Sequence, residues 1–191
     1  THPCVESFNK ALRDTAIATL ERAGHEVRIA DLYQQGFDPV MSAEERRGYH
    51  TPGDNELPVA HELARLKWAE MLVFVYPTWW YGLPAMLKGW LERVLVPHAT
   101  FAMPQPDRPI EGRLTNIRKI AVISTCGAPW LWMKFVGDPG RRTLTRGARA
   151  ICHPKCRAIW LAHYRIDSSS MESRRDFLMQ VEKQLGRFCE R

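Results

Sequence analysis

The stretch that decides the fold is Met71-Leu-Val-Phe-Val-Tyr-Pro-Thr-Trp-Trp-Tyr-Gly-Leu-Pro-Ala-Met-Leu-Lys-Gly-Trp-Leu-Glu-Arg-Val94. Its first six residues are continuously apolar, which predicts a central strand covered on both faces. A loop with three adjacent aromatic residues follows. Beyond it, Pro84 is allowed in the first turn of a helix. The spacing of the apolar residues predicts that one face of this helix consists of Leu83, Leu87, Trp90, Leu91 and Val94.

The rest of the chain repeats this alternation of short apolar runs and helical periodicity. Predicted strands are 25–32, at an edge, 120–124 and 158–162. Predicted helices are 7–23, 57–68, a short one near 140–150, and a last one capped by Ser169 and Glu172 with Phe177, Leu178, Val181, Leu185 and Phe188 on its apolar face. Segment 36–58 is a long polar excursion containing a capping box, and loops follow residue 124. This alternation is typical of βα units around a parallel sheet.

The start of the chain is short for such a fold. A doubly wound sheet with helices on both faces needs a strand ahead of its first helix. Here Thr1-His-Pro opens the sequence only six residues before Ser7, the predicted helix cap. We therefore expect that a first strand is missing before Thr1.

Length and charge limit the function classes. With 191 residues, we expect one domain over 1–191. The formal charge of +6 is compatible with nucleic acid, an anionic membrane surface or anionic small molecules. The basic residues are dispersed and carry no nucleic-acid-binding motif, so we expect no nucleic-acid partner. No apolar stretch approaches the ~20 residues of a membrane helix, so we expect no membrane insertion.

The five cysteines do not form a disulfide pattern. Their number is odd and they are scattered, which favours a reducing cytoplasm, with a removed leader as the alternative. Cys152-His153-x-x-Cys156 resembles part of a zinc site. It lacks a fourth ligand nearby, so we expect no bound metal.

Three loops should meet at one edge, because the carboxyl ends of parallel strands lie together. The first, 2–9, leads into a helix N-terminus that can hold phosphate, with His2, Ser7 and Asn9 as donors. The alternative is that Ser7 only caps the helix.

The second loop follows Tyr76 and the third follows the strand at 120–124. In the second, Trp79, Trp80 and Tyr81 can flank a planar ring, or can be ordinary core aromatics. The third, 124–129, has small residues whose backbone can approach a ligand. Its Cys126 is either a buried small residue or a reactive thiol.

Together these blocks resemble the flavodoxin-like NAD(P)H:quinone oxidoreductase family, which includes modulator-of-drug-activity proteins and potassium-efflux ancillary subunits. The matching blocks are His2-Pro-x-x-x-Ser-Phe-Asn9, Asp31-Leu-Tyr33 with Phe37-Asp-Pro39, and Pro77 to Val94. The resemblance implies a flavodoxin-like, doubly wound five-stranded parallel sheet. It also implies a ping-pong enzyme, an NAD(P)H dehydrogenase (quinone), in which NAD(P)H is the co-substrate and hydride passes through flavin N5 to a quinone or related acceptor.

The resemblance further implies where the flavin binds, usually FAD, with FMN as the other possibility. The implied cofactor-binding residues are His2, Ser7, Phe8 and Asn9 for the pyrophosphate, Pro77, Thr78, Trp79, Trp80 and Tyr81 for the ring, and Ser124, Thr125, Cys126 and Gly127 for its pyrimidine end. Trp80 and Tyr81 are also the candidates for the acceptor pocket. A homodimer with sites at the interface is implied as well.

The sequence departs from this family after the third loop. The better-known enzymes have a Tyr and a His there, whereas this chain has Trp130, Trp132 and Val136. The proton donor to the quinone is therefore not identified. Two other functions stay open, a regulatory flavoprotein subunit bound to a membrane transporter and a flavodoxin-like electron carrier. A pI near 9.2 argues against the carrier.

Overall fold

A parallel sheet of three strands forms the centre of the computed structural model, which describes residues 1–104, 106–107 and 109–190. The strands are β1 (Met71–Thr78), β4 (Lys119–Cys126) and β5 (Arg157–Tyr164), in the order β1-β4-β5. Strands β1 and β4 pair without interruption from Met71 opposite Lys119 to Thr78 opposite Cys126. Strand β5 pairs with β4 over the same eight positions of β4. All three strands therefore end at one edge.

Seven α-helices and a small antiparallel ribbon complete the described part of the chain. The ribbon pairs β2 (Phe101–Ala102) with β3 (Glu111–Gly112). The helices are α1 (Phe8–Arg22), α2 (Ala43–Gly48), α3 (Ala60–Trp68), α4 (Ala85–Val94), α5 (Trp130–Val136), α6 (Pro139–Arg142) and α7 (Met171–Glu190). None of these helices is long and apolar enough to cross a lipid bilayer.

Helices cover both faces of the sheet, as predicted. On one face, α1 and α7 pack their apolar residues, such as Leu12 and Val181, against Ile123 of β4. On the other, α3 and α4 pack against Val122 of the same strand. Alternate residues of β4 therefore enter two separate cores, which explains the uninterrupted apolar sequence of this strand.

The predicted five-stranded sheet and the strand at 25–32 are not what the structure shows. Residues 25–31 have no strand assignment, and Leu32 begins a turn. A strand exists only through hydrogen bonds to a neighbour, and within the described residues none pairs with this segment. The prediction that 71–76 is central is wrong for the same sheet, where β4 is central and β1 lies at an edge. An apolar sequence indicates that both faces of a strand are covered, but it does not indicate whether both edges of that strand are paired with other strands.

Most predicted helices are confirmed, with corrections at three places. Residues predicted as loop after 129 form α5, and the helix predicted near 140–150 is instead α6 followed by a π-helical segment, Thr143–Gly147, and a 3-10 turn, Ala148–Ile151. Ser170, rather than Ser169, accepts the backbone N–H of Ser173 at the start of α7, because Ser169 donates its hydroxyl to Ile166 O.

Candidate functional site

Direct contacts join the three predicted loops at the carboxyl edge of the sheet. Asn9, in the first turn of α1, donates its Nδ2 to Thr125 Oγ1 at 3.0 Å, which connects the first and third loops. His2 meets Trp79 edge to face, with ring centroids 5.8 Å apart, which connects the first and second. The structure thus brings together the segments that the sequence analysis selected.

The first loop ends in a capped but unneutralised helix N-terminus. Ser7 accepts the backbone N–H of Lys10 at 3.3 Å, so the capping alternative holds for its side chain. No acidic residue lies in the first turn of α1, and the early backbone N–H groups of a helix have no partner within it. Asn9 is buried, and its Oδ1 has no hydrogen-bond partner. This end of α1 can therefore receive an anion.

Phe8 does not share the exposure of this helix end. It is partly buried in the core beside α1, where its ring meets that of His163 at a centroid distance of 5.9 Å. Its side chain anchors the helix, and its backbone N–H belongs to the first turn. Any contact of Phe8 with a ligand would therefore be through the backbone.

The second loop is a turn of unusual backbone conformation. Trp80 and Tyr81 have φ values of 48° and 64°, and Gly82 N–H donates to Trp79 O at 3.0 Å. Two successive positive φ angles are the mark of a type I′ turn, which ordinarily uses Asn and Gly. Bulky residues in this conformation cost of order 1 kcal/mol each, and such strain is concentrated at functional sites.

The same turn exposes its aromatic rings. The Trp80 side chain is 93% exposed, although it is among the largest apolar groups in the chain. Trp79 is also exposed, and the hydroxyl of Tyr81 accepts the indole N–H of Trp132 at 3.0 Å. We name Trp79, Trp80, Tyr81 and Gly82 the aromatic turn.

Beneath the aromatic turn, a chain of hydrogen bonds ties β1 to β4. Cys126 donates its S–H to Thr78 Oγ1 at 3.2 Å, and Thr78 lies 2.9 Å from Ser124 Oγ. Ser124 in turn donates to Tyr76 O at 2.9 Å, so Thr78 is the donor to Ser124. These three side chains therefore use their polar atoms on one another.

The thiol of Cys126 is a structural donor in this chain. The side chain is fully buried, and burial raises the pKa of the thiol above its ordinary value. A reactive cysteine needs the opposite, a lowered pKa and access to solvent. Pro77, which lies opposite Thr125 in the register, completes this end of β1 without a backbone donor.

Gly127 in the third loop lies against the side chain of Asp167. A Cβ atom there would lie 2.6 Å from Asp167 Oδ2, so the loops after β4 and β5 touch at this point. Sequence reasoning left Asp167 unassigned, because nothing in the sequence says that residue 167 approaches residue 127.

Helix α5 is the largest part of the site that sequence reasoning missed. Of its residues only Met133 is buried, while Leu131 and Phe135 are 74% and 79% exposed. Gly137, with φ at 94°, ends the helix as a left-handed cap and was the available signal. The exposed apolar face of α5 (Trp130, Leu131, Trp132 and Phe135) continues the surface of the aromatic turn.

A buried polar group lies behind this surface. Tyr76 Oη and Asp138 Oδ1 are both buried without a hydrogen-bond partner, and Gly140 packs beside the Tyr76 hydroxyl. Burial, together with Cys126 and Asp138 nearby, raises the pKa of Tyr76 far above its ordinary value. Asp138 is held by Lys134 and Arg141. Tyr76 therefore stays protonated and acts as a structural group.

These features fit a flavin. Such a cofactor carries anionic phosphate and a planar ring with a polar edge. The unneutralised start of α1 suits the phosphate, and the unpaired Asn9 Oδ1 can accept a hydrogen bond from a hydroxyl or N–H of the cofactor. The aromatic turn suits the ring, and the backbone of 124–127 suits its polar edge.

Relatives of known sequence share part of the chain. NAD(P)H dehydrogenase (quinone) 1 of Rattus norvegicus is 33% identical over 138 residues, which cover 64% of this chain and 50% of that protein. Ribosyldihydronicotinamide dehydrogenase-like protein traD of Penicillium crustosum is 30% identical over 149 residues, covering 66% and 55%. The chain thus spans about half the length of these relatives.

Solved structures match almost the whole length of this chain. Smu.1420 of Streptococcus mutans superposes with a TM-score of 0.83 at 27% identity, covering 98% of this chain and 96% of that one. The NAD(P)H:quinone oxidoreductase of Methanothermobacter marburgensis gives 0.81 at 22% identity, covering 97% and 94%, which shows a common fold. A family model described as a flavodoxin-like fold matches residues 1–188. The chain belongs to this flavodoxin-like family.

Proposed function

We propose that this protein is a flavin-dependent NAD(P)H:quinone oxidoreductase. The observation that carries the proposal is the strained, exposed aromatic turn, held beside the start of α1 at the carboxyl edge of a parallel sheet. Ligands of open α/β sheets bind at this edge. The names of the sequence relatives, which are dehydrogenases acting on quinones or ribosyldihydronicotinamide, agree with it.

The residues have separate roles in this proposal. The backbone of Ser7, Phe8 and Asn9 binds phosphate, with Asn9 Oδ1 available to a ligand hydroxyl or N–H, and His2 lies beside the aromatic turn. Residues 77–81 hold the ring, and the backbone of 124–127 donates to its polar edge. A bound flavin would supply two-electron transfer between NAD(P)H and an acceptor. We keep FAD as the expected flavin and FMN as the alternative, since a solved azoreductase of the same fold is described in complex with FMN.

We further propose a homodimer with its sites at the interface. Helix α5 and Trp80 both expose large apolar side chains, and Tyr81 lies between them, beside the Trp80 ring and hydrogen-bonded to Trp132. Large exposed apolar areas mark interaction surfaces. A second copy placed on this patch would cover the acceptor pocket and exclude water from it. The other candidate, a transporter subunit, has less support, because the two sequence relatives reported above are named as dehydrogenases.

The test is spectroscopic. The purified chain is reconstituted separately with FAD and FMN, and the visible absorbance of the bound flavin is followed without oxygen. We expect NADPH or NADH to bleach the flavin and a benzoquinone to restore it. If neither flavin is retained, the proposal fails, and if no quinone restores the absorbance, the acceptor is wrong.

Trp80→Ala tests the aromatic turn in the same assay. Loss of one stacking ring is expected to weaken flavin retention or quinone turnover about three- to tenfold. Trp68→Ala is the matched control, since Trp68 stacks on Arg28 away from the site. Unchanged behaviour of Trp80→Ala would remove that residue from the site.

A further inference from the structure

The hydroxyl group of Tyr81 presents a free hydrogen at the aromatic turn. Its oxygen accepts the indole N–H of Trp132 at 3.0 Å. Because an indole nitrogen only donates, the hydroxyl hydrogen must point elsewhere. Among the residues that the structure describes, none accepts it. An acceptor group that entered the site could therefore take this O–H as a hydrogen-bond donor.

Two rigid features hold the hydroxyl in place. The positive φ of Tyr81, 64°, fixes the direction in which its side chain leaves the turn. Trp132 stands on α5, where its ring packs against Phe135 at a centroid distance of 5.3 Å. The contact between Tyr81 and Trp132 thus joins two separate elements at the edge of the proposed pocket.

The balance of the proposed reaction requires a proton from outside the reductant. A quinone becomes a hydroquinone by gaining two electrons and two protons, and NAD(P)H supplies two electrons and one proton as a hydride. We infer that Tyr81 donates the second proton from its hydroxyl to the quinone oxygen and then regains a proton from water. This inference rests on the proposed function.

Trp132 has a positioning role in this step. As the proton leaves, negative charge develops on the Tyr81 oxygen, and the indole N–H already directed at that oxygen stabilises it. Other groups nearby are not available, since Cys126 already donates its S–H to Thr78, Asp138 forms an ion pair with Lys134, and Tyr76 is fully buried. Two rivals remain, His2, whose ring lies against Trp79, and Tyr164 at the end of β5, whose hydroxyl oxygen accepts the indole N–H of Trp160.

The kinetic test compares two acceptors of electrons. The holoenzyme is reduced with NAD(P)H and then mixed with either a benzoquinone, which needs protons, or ferricyanide, which needs none. For Tyr81→Phe we expect the ratio of the quinone rate to the ferricyanide rate to fall about 100-fold, the usual contribution of a general acid. For Trp132→Phe we expect the same ratio to fall about tenfold. Tyr49→Phe is the control and should keep the wild-type ratio.

A second measurement does not depend on flavin. In the protein without cofactor, the indole N–H resonance of Trp132 is identified by its absence in Trp132→Phe. It should shift upfield in Tyr81→Phe and stay in place in Tyr49→Phe. An unshifted resonance would overturn the contact on which the inference stands.

The outcomes separate the two proposals. If NAD(P)H fails to reduce the flavin of the wild type, the proposed function falls and the Tyr81 role falls with it. If reduction is normal but Tyr81→Phe keeps the wild-type ratio, only the role of Tyr81 is overturned. A fall of the ratio in His2→Gln without one in Tyr81→Phe would give the role to His2.

Discussion

At the scale of single residues, the site depends on side chains that are buried for support. Thr78, Ser124 and Cys126 use their polar atoms on one another, so their chemical type matters for the register of β1 and β4. The sequence identified them as loop residues near a ligand but did not show which way they point. Orientation depends on the pairing of the strands, which no local pattern contains.

His163 gives a prediction about pH. Its ring is buried between Phe8 and Phe177, and its Nε2 lies 3.0 Å from Ser173 Oγ. Burial lowers the pKa of this imidazole below its ordinary value. The unfolded chain therefore binds more protons than the folded chain below about pH 6.5, and the free energy of unfolding should decline as the pH falls from there.

His163→Gln should flatten this decline, and urea denaturation at several pH values measures it. Exposed His25 offers the control, and His25→Gln should follow the wild-type curve. Parallel curves for the wild type and His163→Gln would show that His163 does not carry the effect.

At the scale of elements, helix α4 supports more than the sheet. The polar segment 36–58 lies against it, with Arg93 bound to Glu45 and to Asp38 O. Asn55 joins the same segment to Pro97 O at 2.9 Å. The sequence predicted the short helix of this segment from its capping box, which the structure confirms. Its position could not be predicted, because it rests on contacts with distant residues.

Gly89 gives a prediction about this packing. A Cβ atom at position 89 would lie 2.1 Å from Pro39 O and 2.5 Å from its Cβ. Alanine favours a helix over glycine by about 1 kcal/mol, but overpacking against backbone costs more. We therefore expect Gly89→Ala to lower the free energy of unfolding by at least ~1 kcal/mol.

Gly186→Ala in α7 is the matched control for Gly89→Ala. There the Cβ would meet only Thr19 Cγ2, at 3.9 Å, which is ordinary contact. This substitution should raise the free energy of unfolding by about 0.5–1 kcal/mol. Urea titration of both variants decides the matter, and changes of the same sign would contradict the packing argument.

At the scale of the whole molecule, the sequence predicted that helices cover both faces of the sheet, but it did not predict which strands lie at the edges of the sheet. Apolar runs and helical faces report burial, and both follow from the sequence alone. Strand pairing joins residues far apart, and for this reason the segment 25–32 was predicted as a strand that the structure lacks. The candidate site followed from strand-end loops, whereas α5, Asp138 and Asp167 joined it through tertiary contacts.

The apolar patch gives a prediction about assembly. If two copies meet through α5, the mass in solution should be twice the chain mass of 22.0 kDa. Leu131→Glu with Phe135→Glu would place two charges in the interface and should give monomers, as measured by light scattering. Met179→Glu, on the exposed side of α7, should leave the dimer intact. A wild type of single-chain mass would refute the dimer.

The aromatic turn also sets a limit on engineering. A screen that selects only for thermal stability would favour Asn-Gly at positions 80 and 81, because these residues adopt positive φ without strain. The improved variant would have lost the rings that we propose hold the cofactor. Selection for robustness and selection for catalysis therefore oppose each other at these two positions, and libraries built on this scaffold should keep them fixed.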